Sequence, residues 1–259
     1  MSAAGLAIRH APDPAQAEVS HRESVQVIES RPGVRQVLLL TSVETARPAG
    51  NVVVVLGSGG GGFARNPGDG VMRVQGGFAA GQHRRLAEAI GGAVVALSPP
   101  TDQPVMDIDW RLSAAHVADL RAAVAWSRQR WPETDVWMLG FASGGMSAAV
   151  AAASIEDIAG AVLIGAPEEA SAQQPASERM RMLVIRQGSA AAGGLSQTVN
   201  PGRQGHRTWL RIEDERQERI GTLDDWAAVG GRPFGGKETQ VVDAVAGWII
   251  TGAAPKAIR

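Results

Sequence analysis

The sequence predicts an α/β protein with a mostly parallel central sheet flanked by helices on both faces, and three observations predict it. First, Asn51–Leu56 (NVVVVL) is a continuous apolar run, the mark of a strand buried on both faces. Second, from Asn51 onward such runs alternate with stretches of helical period, as right-handed strand–helix–strand crossovers require. Third, residues 136–147 (VWMLGFASGGMS) carry an apolar run into a glycine-rich bend and then into small residues, so a buried strand turns sharply into a helix. At 259 residues and 44% hydrophobic content, one large domain accommodates the whole pattern. Residues 1–20, with Pro12, Pro14 and scattered Ala, read as a flexible N-terminal arm, and 21–259 as the single domain.

In chain order, residues 24–28 and 34–43 are rich in Val and Leu and flank Arg31-Pro32-Gly33, which predicts a hairpin leading into the sheet. The strand at Asn51 follows. A helix is expected around 82–90, a strand at 93–97, a helix over 113–131 and a strand at 136–139. On the 113–131 helix, Val117, Leu120, Val124 and Ser127 share one face, with Arg121 and Arg128 elsewhere, the stripe of a helix that covers a sheet. An alanine-rich helix (146–153), strands at 161–164, 182–185 and 208–212, and a closing helix over 237–250 complete the order. Residues 193–205 read as a polar, glycine-containing surface linker. Trp126, Trp131 and Trp137 lie on or beside buried elements and are expected in the core.

Composition narrows the partners. The net charge of −1 and the lack of a basic stripe argue against nucleic acid and an anionic membrane surface, and favour a small-molecule ligand. Cysteine is absent, which excludes disulfides, thiolate metal sites and thiol catalysis. The five histidines are dispersed without a metal-ligand spacing, so neither metal nor cofactor is expected. Residues 1–20 lack an apolar segment behind a basic start, and no window approaches the roughly 18 apolar residues of a membrane helix. A cytoplasmic protein is expected, alone, as a homodimer or beside a partner protein.

The bend at Gly140-Phe141-Ala142-Ser143-Gly144-Gly145 fits the G-x-S-x-G frame on which hydrolases expose a nucleophile, except that Ala142 fills the serine slot. Moving the frame to Ser143 would put Phe141 where glycine is needed. Together with Gly57-Ser58-Gly59-Gly60-Gly61-Gly62 after the first buried strand, and two later strands before a terminal helix, this arrangement resembles the α/β-hydrolase family over residues 52–250. The resemblance implies the α/β-hydrolase fold and an oxyanion hole built from backbone N–H groups of Gly59 or Gly60 and of Ser143. A phosphate-binding loop would instead need a following Lys-Ser/Thr, which is missing.

The same resemblance locates the other triad members. An acid is expected just after the 182–185 strand, but Arg186 to Ala192 contains no carboxylate, and Ala190 stands in that slot. A base is expected after the last strand. The run Arg232-Pro233-Phe234-Gly235-Gly236-Lys237-Glu238 resembles the H-G-F-x-G-x-E of a bacterial subgroup, which puts Arg232 in the histidine slot. Arginine stays protonated and cannot serve as a base. Ala142, Ala190 and Arg232 thus describe a degenerate triad, and losing a triad member removes on the order of 10⁴- to 10⁶-fold in turnover.

The expected ligand set is Ser58, Gly59, Gly60, Ala142, Ser143 and Arg232, holding a small acyl, carbonyl or carboxylate group. Two alternatives stand beside this non-hydrolytic binder or partner subunit: an isomerase, cyclase or lyase using the oxyanion donors, and a hydrolase using Ser143 as fallback nucleophile. At a helix start, however, a serine hydroxyl more commonly caps. His116 and Asp119, three apart on one helix, read as an exposed, solvated pair, and His83 and His206 as surface residues. Asp107 and Asp109 near Trp110 read as a turn with Asp109 or Ser113 as helix cap, and Glu168-Glu169 as a solvated acidic tip.

Overall fold

The computed structural model describes residues 20–44, 50–57, 64–65, 72–73, 77–187, 206–213 and 234–259. The proposed arm (apart from Ser20) and the 193–205 linker lie outside these residues. The chain opens with an antiparallel hairpin of β1 (His21–Arg31) and β2 (Val34–Val43), turned at Pro32-Gly33, where Gly33 adopts φ 73°. There follow β3 (Asn51–Leu56), a two-stranded ribbon of β4 (Ala64–Arg65) and β5 (Met72–Arg73), α1 (Gly77–Ile90), β6 (Ala93–Leu97), α2 (Ile108–Arg111), α3 (Ala114–Arg130), β7 (Asp135–Phe141) and α4 (Ser143–Ser154). The remainder is β8 (Gly160–Ile164), α5 (Glu168–Ala172), β9 (Arg181–Gln187), β10 (His206–Ile212), α6 (Glu238–Thr251) and β11 (Ala257–Ile258).

The main sheet has the order β1-β2-β6-β3-β7-β8-β9-β10-β11, parallel from β6 to β11, with β2 antiparallel to β6. Continuous apolar runs arise because both faces are covered. On β3, Val52, Val54 and Leu56 pack with Leu120 and Val124 of α3 and the alanines of α4, whereas Val53 and Val55 pack with Leu86 of α1 and Val241 and Val245 of α6. The fold class is therefore as the sequence predicts. Four short or extended features are additional: the β4/β5 ribbon, α2, α5 and β11, each too brief to show a period. Helix α4 begins at Ser143 rather than 146, and His206, expected in a loop, is the first residue of β10.

Strand order fixes where a site can form. β3 pairs with the next strand of the sheet, β6, on one side and with β7 on the other, so successive crossovers diverge at β3 and β7. Their carboxyl ends lie side by side, Leu56 in register with Gly140. In open parallel sheets a ligand crevice opens at such a switch point.

Candidate active site

At the end of β7 the chain reverses into α4 within a single residue. Ala142 has φ 49° and ψ −122°, and among the described residues it is the only non-glycine with positive φ. An L-residue there costs about 1–3 kcal/mol of local strain. What holds it is the surrounding backbone: the Ala142 N–H donates to Ile164 O at 2.9 Å, and its carbonyl accepts from Gly145 N at 2.9 Å. The glycines are obligatory. A Cβ on Gly140 would lie 2.0 Å from Gly144 O, one on Gly144 2.2 Å from Leu56 O, and one on Gly145 2.3 Å from the Ala166 methyl. The bend thus clamps β7, α4 and the end of β3 together.

Phe141 packs edge-to-face on Phe234, with ring centroids 5.9 Å apart at 87°. Buried Glu238 shapes that neighbouring turn by accepting from Phe234 N at 3.1 Å and Gly236 N at 3.4 Å. The result is a sharp strand-to-helix bend of the kind on which hydrolases expose a nucleophile. Its tip carries a methyl group, which can neither attack a carbonyl nor give up a proton. Ser143, half-buried, opens the first turn of α4, where the helix dipole favours negative charge. Of the expected ligand set, Ala142 and Ser143 come together here, while Ser58, Gly59, Gly60, Arg232 and the acid-slot Ala190 lie outside the described residues.

A second polar cluster lies on the α3 side of α4 and was missed by the sequence reading. His116 and Asp119 are not an exposed pair, since they are 1% and 0% exposed. His116 Nε2 is 2.8 Å from Ser147 Oγ, and the same oxygen accepts from Arg111 Nη1 at 2.6 Å. Arg111 Nη2 donates to Gly57 O at 3.2 Å, so one buried guanidinium joins the end of β3 to α4. Asp119 faces the other way, accepting from Ser30 Oγ at 2.5 Å and from Arg31 Nε at 2.8 Å. Burial, then the nearby Arg111 and Arg31 charges, lowers the His116 pKa to about 4, so the ring is neutral near pH 7. Desolvation also pushes Arg111 down to about 10. A signal existed in the sequence: His116, Leu120, Val124 and Ser127 recur at helical spacing, which places His116 on the buried stripe.

The remaining candidates are structural. Asp107, not Asp109, caps α2 by accepting from Trp110 N at 2.7 Å, and Ser113 caps α3 through His116 N at 3.1 Å. Glu168 and Glu169 are exposed in the first turn of α5, with Glu168 3.3 Å from Arg186. His83 contacts Glu23 at 3.2 Å at the surface. Among the described residues no group of three His, Asp or Glu side chains could hold a metal ion, and no helix is long and apolar enough to cross a membrane.

No protein-family model and no curated protein sequence matches the chain. Solved structures do. A dienelactone hydrolase from Anabaena variabilis superposes with a TM-score of 0.59 at 17% identity, over 89% of this chain and 97% of that one. A hyperthermophilic esterase from the archaeon Pyrobaculum calidifontis gives 0.58 at 17% identity, over 90% and 87%. The fold is that of the α/β-hydrolases. An α/β serine hydrolase homologue from Coxiella burnetii agrees, at 0.56 and 14% identity, over 86% of this chain and 95% of that one. A hydrolase of this fold carries its nucleophile on a tight turn between a strand and the following helix, and in this chain β7 and α4 flank Ala142.

Proposed function

We propose that this α/β-hydrolase-fold protein binds a small carboxylate, acyl or carbonyl ligand above the elbow and does not perform ordinary ester hydrolysis. The observation that carries the reading is Ala142 held at φ 49° and ψ −122° at the β3/β7 switch point. Strain of this kind persists only where surrounding structure over-determines it, and here it is kept although no hydroxyl benefits. What the bend still offers is electrostatic. The first turn of α4 presents the positive end of a 12-residue helix to the crevice, which suits a carboxylate or a polarised carbonyl. In this reading Ala190 and Arg232 mark the other lost triad positions, the oxyanion donors Gly59, Gly60 and Ser143 are retained, and Arg232 supplies a cation to the ligand.

The test uses butyrate and 2-oxobutyrate as probes in saturation-transfer NMR, with p-nitrophenyl butyrate turnover and fluorophosphonate labelling in parallel. Binding of either probe, with no labelling and no turnover above background, supports the reading. Labelled Ser143, or esterase-like turnover, overturns it.

A second reading rests on the Ser147–His116 hydrogen bond, the pairing a serine nucleophile and its base would use. Against it, Ser147 is fully buried and its oxygen is held by the Arg111 guanidinium. Any turnover abolished by Ser147→Ala with the fold intact would favour this reading.

A further inference from the structure

Two strands along the sheet from the elbow, on the face that carries α5, β9 and β10 assemble an unusual row of side chains. Arg207, Trp209 and Arg211 alternate along β10 and therefore share one face. Their register partners on β9 are Met182, Val184 and Arg186. Met182, Val184 and Trp209 belong to the core on the α3/α4 side, while Ile185, Leu210 and Ile212 belong to the opposite core, which fixes the face. Arg186 confirms it, with its guanidinium carbon 5.8 Å from the centre of the Trp209 ring. Arg186 and Arg211 leave the sheet from adjacent strands about 4.8 Å apart, and Arg207 lies roughly 13 Å along the strand from Arg211.

The charges of this row are poorly matched. Arg186 Nη1 meets Glu168 at 3.3 Å and its Nη2 donates to Ser171 Oγ at 3.1 Å. Arg207 Nη2 donates to the Gln173 carbonyl at 2.6 Å, a neutral partner. Arg211 Nη2 donates to Glu213 at 2.9 Å, and Arg259 shares that carboxylate at 3.2 Å. Glu168 is itself 82% exposed, so its hold on Arg186 is weak. Each of Arg186, Arg207 and Arg211 also has its Nε–H buried with no acceptor among the described residues, so an anion engages these edges only once the covering side chains move aside. A buried donor without a partner costs free energy, and burial lowers the Arg207 pKa by disfavouring its charge. One edge of every guanidinium in the row is thus half-filled, in a chain whose net charge is −1.

We propose that this row is a second ligand site, specific for a phosphate-bearing anion, with Arg186 and Arg211 as its paired forks, Arg207 as an outlying cation and Trp209 as the apolar floor. A guanidinium binds an oxyanion through two parallel N–H groups, of which Nε–H is commonly one. A tetrahedral phosphate can accept from two such forks at once, whereas a planar carboxylate is filled by one. Glu168 is the competitor that the anion displaces. The proposal uses neither Ala142 nor Ser143, although Arg186 opens the run in which the resemblance expects the triad acid.

Calorimetric titration of inorganic diphosphate at low ionic strength tests it, with citrate as a carboxylate of comparable charge. Wild-type protein binds diphosphate, and citrate on the order of tenfold more weakly. Arg211→Met and Arg186→Met each weaken diphosphate binding about tenfold or more, with the circular dichroism spectrum and melting temperature checking the fold. Glu168→Gln, on an exposed carboxylate, instead tightens binding about two- to fivefold, and keeps the test decisive if the arginine variants fail to fold. No binding by wild-type protein at millimolar diphosphate, citrate bound as tightly, or unchanged affinity in Glu168→Gln and in folded Arg211→Met overturns it.

Discussion

The two ends of β7 are built on opposite principles. At its amino-terminal end Trp137 is locked: its ring lies 5.4 Å from Trp248, its indole N–H donates to Asn51 Oδ1 at 2.9 Å, and the Arg181 guanidinium sits 4.5 Å from the Trp137 ring and 5.3 Å from that of Trp248. Arg181 also donates to the carbonyls of Trp248 and Ile249 at the end of α6, where cations are favoured. At the carboxyl end, beside Phe141, the turn itself is made of Gly140, Ala142, Gly144 and Gly145, and its backbone is strained at Ala142. One end relies on large side chains whose indole N–H groups are paired, the other on glycines through which the backbone passes at close quarters. Stability is concentrated below, and a shape that stability alone would not select is kept above.

The contrast can be broken at either end. Gly140→Ala drives a Cβ to 2.0 Å from Gly144 O, where only backbone can yield, and is expected to cost about 4–5 kcal/mol or prevent folding, as urea titration or soluble yield will read. Trp248→Ala empties the lower clamp, removing a fully buried ring and the shelf for Arg181, with an expected loss of about 3–5 kcal/mol by the same measurement. If Gly140→Ala proved neutral, the claim that the bend is sterically forced would fail.

Beneath the elbow, His116 gives a pH test. Its folded pKa lies at about 4, below the ordinary 6.5, so the unfolded chain takes up the proton first as pH falls. The stability this residue lends is complete above pH 6.5 and is lost progressively between there and about 4, up to about 3 kcal/mol. Denaturation midpoints of wild type and His116→Phe across that window should converge toward acid pH. Parallel curves would mean that burial leaves the ring's proton affinity as it is in the unfolded chain.

The smallest effect sharpens the upper end most. Glycine carries no penalty at φ 49°, so Ala142→Gly should raise stability by about 1 kcal/mol by urea titration, reversing the usual direction of such a change. A loss of stability would mean that the alanine is not strained.

Much of this was legible in the residues. Runs such as NVVVVL announce strands covered on both faces, and Gly140, Gly144 and Gly145 announce a bend that no larger residue survives, so fold class and elbow could be read directly. For His116 the three-residue spacing to Asp119 is no guide, and the Leu120–Val124–Ser127 stripe it shares decides its burial. Ser147 carried no signal, since a serine among alanines on a buried helix looks like any small residue until Arg111 and His116 arrive from other helices. The row on β9 and β10 was hidden for the same reason: Arg186 meets Trp209 only through strand pairing. Local pattern reveals elements, but charge constellations depend on which elements become neighbours.

The buried Arg111 guanidinium spans from the Gly57 carbonyl to the Ser147 hydroxyl, within the field of the Asp107 carboxylate. Such a rivet forbids independent sliding of the strand end and the helix, because any shear would strand a buried positive charge. The floor of the crevice therefore behaves as one rigid plate. A molecule arriving there must adapt to the floor, and discrimination between guests falls to whatever walls rise around it.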